Sequence, residues 1–156
     1  MIPYADRDAC AILVGATGAF GTAITRRLLD AGLGVIAVAR SADSLQALTA
    51  QNPGVRACAA DIGNDSAIAA IAAAIDKPVR MVVHGPGVAV AGGILTAPTE
   101  SMVDAVNIKV GGLLRLVRAA DSHLAAGSRI VAIGGHYGLE PTAYAAAAGV
   151  ANAAIL

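Results

Sequence analysis

Aromatic side chains are almost missing from this sequence, which holds no tryptophan, one phenylalanine and three tyrosines. Without stacking platforms a chain has little with which to grip single-stranded nucleic acid. Nor is there an excess of either charge: eleven Lys and Arg balance eleven Asp and Glu, so no net field draws the chain to nucleic acid or to an anionic membrane. Nucleic acid is therefore not expected as a partner. Cysteine is scarce as well. Cys10 and Cys58 form no CxxC pair, and the three histidines, His84, His123 and His136, show no HxxxH spacing, so no metal-ligand pattern is present. Apolar runs are cut by Gly, Pro or charge before the roughly 18 to 20 residues that cross a bilayer. The N-terminal "MIPYADRDACAIL" has no basic segment ahead of its apolar run, as a secretory leader would. No membrane partner is expected, and the location reads as cytoplasmic.

What the sequence does have is apolar content, 56% over 156 residues, enough for one sizeable core and one domain over residues 1–156. Short β-type runs at about 10–15, 34–39, 55–60, 79–84 and 128–134 are each followed by a segment of helical period. That alternation predicts an α/β fold, a Rossmann-like doubly wound parallel sheet with helices on both faces. The period shows in Phe20, Ile24 and Leu28, in Ile68, Ile71 and Ile75, and in Val103, Val106, Val110, Leu113 and Val117. At the C-terminus, "YAAAAGVANAAIL" begins a helix and stops on the apolar Ile155 and Leu156 with no cap. The domain reads as truncated there.

The most informative stretch is "ILVGATGAFGTAI", residues 12–24, where a buried strand runs into Gly15, Gly18 and Gly21 and then into a helix. A glycine at the strand end permits the turn, a second leaves bare backbone against a pyrophosphate, and a third lets helix and strand pack closely. The helix N-terminus adds unpaired N–H groups and its dipole. The context of strand, glycines and helix is what gives the pattern meaning.

From here the sequence resembles the short-chain dehydrogenase/reductase family along its whole length. "VGATGAFG" is similar to that family's TGxxGxxG turn, with Val14 where Thr is usual. In "AADIGN", Asp61 and Ile62 stand where the family sets an acidic and an apolar residue against adenine. "HGPG", residues 84–87, takes the place of the NNAG turn after strand four, Asn107 matches the helix asparagine, and Tyr144 stands where the catalytic tyrosine is found. The resemblance implies strand order 3-2-1-4-5, with two further strands in full-length members. It implies a nicotinamide cofactor held by Gly15, Thr17, Gly18, Ala19, Phe20 and Gly21 at the turn, by Asp61 and Ile62, and by His84, Gly85 and Gly87 near the nicotinamide ribose. In that order Cys10 and Cys58 lie on strands separated by a third, about 9 to 10 Å apart, beyond the roughly 7 Å that a disulfide spans.

Strand two carries the choice of cofactor. It ends in "VIAVARS", with Ala39 where an acid would bind the adenosine ribose and favour NAD(H); Arg40 and Ser41 follow. A guanidinium and a hydroxyl suit a 2′-phosphate, so NADP(H) is expected over NAD(H).

The catalytic set departs from the family pattern. Ala148 replaces the lysine four residues after Tyr144, and Gly134 and Gly135 occupy the place of the serine. A tyrosine with a pKa near 10 and no cation beside it is a poor base, but as a neutral phenol it donates a proton during reduction. The catalytic candidates are Tyr144, Asn107 and His136, the last as a substitute donor, with Tyr137 beside it. Lys109 is expected to point away from the Asn107 face, and His123 to sit exposed at a helix end. The resulting reading is an NADP(H)-dependent oxidoreductase reducing a small carbonyl compound. A catalytically impaired NADP(H)-binding sensor or scaffold is the alternative. A homo-oligomer is expected at full length, paired on the long helix beginning near Thr99.

Overall fold

In the computed structural model, which describes residues 8–156, the strand at the centre is β1 (Cys10–Val14), buried along its whole length. It is followed by α1 (Ala19–Asp30), β2 (Gly34–Ala39), α2 (Ala42–Gln51), β3 (Val55–Ala59), α3 (Ser66–Ala74) and β4 (Val79–His84). Then come α4 (Thr99–Val106), a π-helical turn at Asn107–Gly111, α5 (Gly112–Ala120), β5 (Leu124–Ala132) and α6 (Ala146–Ala153). The five strands form one sheet in the order β3-β2-β1-β4-β5, every pair parallel. This is the expected doubly wound arrangement.

Strand alternation divides the core into two layers. Ile12 and Val14 of β1, with Ile36, Val38 and Val82, pack on one face against Ile71 of α3 and Leu116 of α5. Ala11 and Leu13, with Val35, Ala37 and Val83, pack on the other against Leu28 of α1 and Leu45 of α2. A strand buried on both sides reads as an unbroken apolar run, as "CAILV" does. Cys10 and Cys58 are buried and free, with β2 between their strands. Among the described residues, no helix is long and apolar enough to cross a membrane.

The structure corrects the sequence reading at two elements. Strand five begins at Leu124, not near 128. Gly127 takes a φ of 88°, and the pairing with β4 shifts register there, from Val79 opposite Leu124 to Met81 opposite Arg129. Ser128 Oγ bridges the irregularity, accepting from Ala125 N at 3.0 Å and donating to Val79 O at 2.7 Å. A period-two pattern is legible only after such a break. The second correction is the helix face. Val103 is 62% exposed, while the innermost stripe runs through Ala105, Lys109, Gly112 and Leu116. Small residues approach the sheet most closely, and Gly112 packs directly under His84. His123 ends a 3-10 turn and is half-buried.

Candidate functional site

The glycine turn is built as its spacing predicts. Gly15 adopts a φ of 85°, a left-handed conformation favouring glycine, and its N–H donates to Val38 O at 3.0 Å. A Cβ there would meet Gly85 O at 2.7 Å, and one on Gly21 would overlap the Gly15 carbonyl. Gly18 differs: a Cβ would find only Gly15 O at 3.4 Å, so its bareness serves the space outside the protein. Gly18 is also the N-cap of α1 and supplies no side-chain cap, which leaves the first N–H groups of a twelve-residue helix facing that space.

The space is a cavity of about 740 Å³ across the carboxyl ends of β1, β2, β3 and β4, where ligands bind in open α/β sheets. Gly15, Thr17, Gly18, Ala19, Phe20 and Gly21 line one side, Arg40 and Ser41 a second, Asp61 and Ile62 a third, and Gly85 and Gly87 close the far end. Asp61 is held by its own loop: Oδ1 accepts from Gly63 N at 3.0 Å and Oδ2 from Asn64 Nδ2 at 2.8 Å. Ser41 caps α2, its Oγ accepting from Ser44 N at 3.2 Å. Among the described residues no acid pairs with Arg40. The bare backbone at Gly18 and the uncapped helix fit the phosphates of a dinucleotide.

His84 does not belong with these residues. It is the last residue of β4, fully buried, and its side chain turns from the cavity into the core, where Nε2 lies 3.0 Å from Ile108 O. A carbonyl only accepts, so Nε2 carries the proton and the buried Nδ1 is left without a partner. Burial, reinforced by the nearby Lys109 charge, lowers its pKa to about 4. The expected cofactor contact through His84 is thus corrected to a neutral core histidine, because the β4 alternation aims this side chain inward.

The three catalytic candidates are engaged separately. Tyr144 is 57% exposed, with its hydroxyl 3.0 Å from that of Tyr137 and the rings edge to face; the shared hydrogen bond raises the Tyr137 pKa. His136 Nε2 pairs with Glu140 at 3.2 Å on the surface. Asn107 donates from Nδ2 to Gly63 O at 2.8 Å and accepts on Oδ1 from Arg115 at 2.9 Å. None of the three lines the 740 Å³ cavity.

The turn after β5, where the family serine would stand, is instead occupied from beneath by Lys109, which the sequence reading only turned away from the Asn107 face, and by Asn152, which it passed over. Lys109 is buried and donates from Nζ to Ile133 O at 2.9 Å, and burial lowers its pKa. Asn152, also buried, accepts from Gly135 N at 2.8 Å and donates to Ala148 O at 2.7 Å. A Cβ on Gly135 would stand 2.8 Å from Asn152 Nδ2, so a serine fits there only if Asn152 moves. Both residues had a signal: each is a polar side chain on a helix face that is otherwise small or apolar.

The KR domain family matches over residues 9–155. Among solved structures, a Serratia marcescens short-chain dehydrogenase/reductase superposes with a TM-score of 0.86 at 24% identity, over 94% of this chain and 64% of its own. A 3-hydroxyacyl-CoA dehydrogenase type-2 from Mycobacterium avium gives 0.85 at 24% identity, over 99% and 67%. A blue fluorescent protein from a metagenomic library, solved with NADPH, gives 0.82 at 25% identity, over 94% and 64%. The chain thus spans about two thirds of the length of these structures. No curated protein sequence matches it. With a glycine turn between β1 and α1, the 3-2-1-4-5 sheet and a family match over nearly every residue, the chain belongs to the KR-domain family of short-chain dehydrogenases/reductases.

Proposed function

We propose that this chain is the cofactor-binding part of an NADP(H)-dependent oxidoreductase that reduces a small carbonyl compound. The observation carrying the cofactor choice is the end of β2, where Ala39 offers no carboxylate and Arg40 faces the cavity with no acid paired to it among the described residues. A 2′-phosphate would give that guanidinium its partner, by charge-assisted bonds worth about 1.5 to 3 kcal/mol. NADPH should therefore bind about tenfold or more tightly than NADH, and Arg40→Ala should bring the two close together. Fluorescence titration at fixed salt checks this, and equal affinities in the unmodified protein would refute it.

NADPH, held by the glycine turn, Arg40 and Asp61, would supply the hydride for carbonyl reduction. The phenol of Tyr144 is the proposed donor of the proton that the carbonyl oxygen takes up, with Tyr137 hydrogen-bonded to it at 3.0 Å. Tyr137, the hydrogen-bond partner of Tyr144, lines an apolar groove of about 320 Å³ together with Met102 and Val150. The exposed Val103 and Leu114 lie on the α4–α5 surface proposed for self-association, in a cytoplasmic homo-oligomer.

A second reading, cofactor binding without turnover, is favoured by the absence of Tyr144, Asn107 and His136 from the lining of the 740 Å³ cavity and by the Asn152 amide filling the serine's place. The two readings diverge under one substitution. In an enzyme, Tyr144→Phe abolishes NADPH consumption across a panel of aldehydes, ketones and quinones. In a binding module the unmodified protein binds NADPH and consumes none.

A further inference from the structure

The loop at residues 61–65 forms the adenine side of the cavity, and it is held from behind by two residues on the opposite helix segment. Arg115 of α5 donates from Nε to Asp65 Oδ1 at 2.7 Å and from Nη1 to Ile62 O at 3.2 Å and to Asn107 Oδ1 at 2.9 Å. Asn107 completes the circuit by donating from Nδ2 to Gly63 O at 2.8 Å. The Arg115 side chain is only 14% exposed, whereas the Asp65 carboxylate is 79% exposed. A guanidinium taken largely out of water is thus spent on four acceptors in or beside the loop, the fourth being Asn107 O at 3.4 Å. Asp65, at the N-cap of α3, caps nothing with its side chain and turns to Arg115 instead.

The π-helical turn makes this reach available. Its wider backbone sets Asn107 and Arg115 side by side under the loop, and Gly111 leaves the room: a Cβ there would come within 2.8 Å of both Arg115 Nη1 and Asn107 Oδ1. The loop in turn fixes Asp61, whose carboxylate is oriented by Gly63 N and Asn64. Loop and clamp therefore share Gly63, through its carbonyl on one side and its N–H on the other.

We infer that Arg115 and Asn107 are positioning residues for the adenine half of the cofactor, acting through Ile62, Gly63 and Asp61 and touching no ligand themselves. The inference rests on the dinucleotide reading of the cavity. It gives Asn107 a role at the adenine end in place of the catalytic one the family resemblance implied. Charged, multiply hydrogen-bonded networks of this type are coupled, so removing either member releases the loop.

The test uses the full chain and two probes, NADPH and adenosine 2′,5′-bisphosphate, the latter carrying only the adenine half. Arg115→Met and Asn107→Ala should each weaken both probes about tenfold, and the double variant should be little worse than either alone, because they break one network. Hydrogen exchange in the cofactor-free protein should quicken at the amides of residues 63–65 in both variants. Leu116→Ala removes a fully buried side chain from the same helix, and should lower the melting temperature while leaving the affinity for the bisphosphate unchanged. Arg115→Lys, which keeps a cation near Asp65 but loses the forked reach, should fall between. Clamp variants that melt early yet bind the bisphosphate as the unmodified protein does would overturn the positioning role. A flat titration of the unmodified protein with both probes would overturn the dinucleotide reading, and the positioning role with it.

Discussion

Gly18→Val should leave a folded protein that binds a dinucleotide far more weakly, whereas Gly21→Ala should leave a dinucleotide site with little folded protein to carry it. The two glycines lie three residues apart in one turn and are bare for different reasons. At Gly21 the added Cβ would overlap backbone atoms of Gly15 and Ala16, which belong to the turn itself and have nowhere to go. Overpacking against backbone costs about 3 kcal/mol, a large share of the roughly 5 to 15 kcal/mol that holds a domain folded. At Gly18 the nearest atom to an added Cβ is Gly15 O at 3.4 Å, and the backbone, at φ −77° and ψ 170°, suits any residue. Valine there projects into the cavity at the start of α1, where the phosphates would meet the helix N–H groups. Losing one or two hydrogen bonds to a charged group, at about 1.5 to 3 kcal/mol each, lowers affinity on the order of a hundredfold. Melting curves without cofactor and NADPH titrations in the cold separate the two effects. A Gly18→Val protein that binds normally but melts early would mean that the glycine serves the turn alone.

Stability should fall steeply between about pH 6.5 and pH 4, and His84 should account for most of the fall. An unfolded histidine titrates near 6.5, while burial holds the folded one at about 4. The sign follows from proton uptake. In that window the unfolded chain binds a proton that the native protein refuses, so acid favours unfolding. The contribution is fully present above about pH 6.5 and is lost as the pH drops toward 4. Below that value both states are protonated and the slope from this group ends. A shift of this size corresponds to about 3 kcal/mol in all. Urea unfolding at pH 7.5 and pH 4.5 should therefore differ by about 2 to 3 kcal/mol in the unmodified protein. His84→Leu, which has no proton to take up, should be much flatter between the two pH values even if it is less stable at both. An equal loss in both proteins would show that the orphaned Nδ1 is not the group that acid attacks.

Restoring the family residues at the reaction site is a different matter. Gly135→Ser alone brings its side chain against Asn152, since a Cβ at 135 already stands 2.8 Å from the amide nitrogen. Ala148 is 4% exposed, so a lysine at 148 would enter a packed interior. Both positions are occupied by a working alternative, the Gly135–Asn152–Ala148 hydrogen-bond chain, rather than standing open.

What the sequence determined by itself is the order of strands and helices and the backbone geometry of the glycine turn, whereas the period of apolar residues misplaced the inner face of the α4–α5 segment, where Val103 is exposed and the small Ala105 is buried. The strand-and-helix alternation, the left-handed Gly15, the bare Gly18 and the close approach at Gly21 are written in neighbouring residues, and so is the absence of an acid at Ala39. The start of β5 escaped because Gly127 and Ser128 interrupt the two-residue period that reveals a strand. The tertiary structure alone decided where polar side chains spend their hydrogen bonds. Lys109 meets Ile133 O, His84 meets Ile108 O, Asn152 meets Gly135 N, and Asn107 meets Gly63 and Arg115. Each partner except Arg115, which follows Asn107 along one continuous helical segment, lies in a distant element or loop, brought near only when the sheet is wound and the helices are laid on it. A buried polar group must find whatever acceptor or donor that packing offers, and no spacing along the chain states which one it will be.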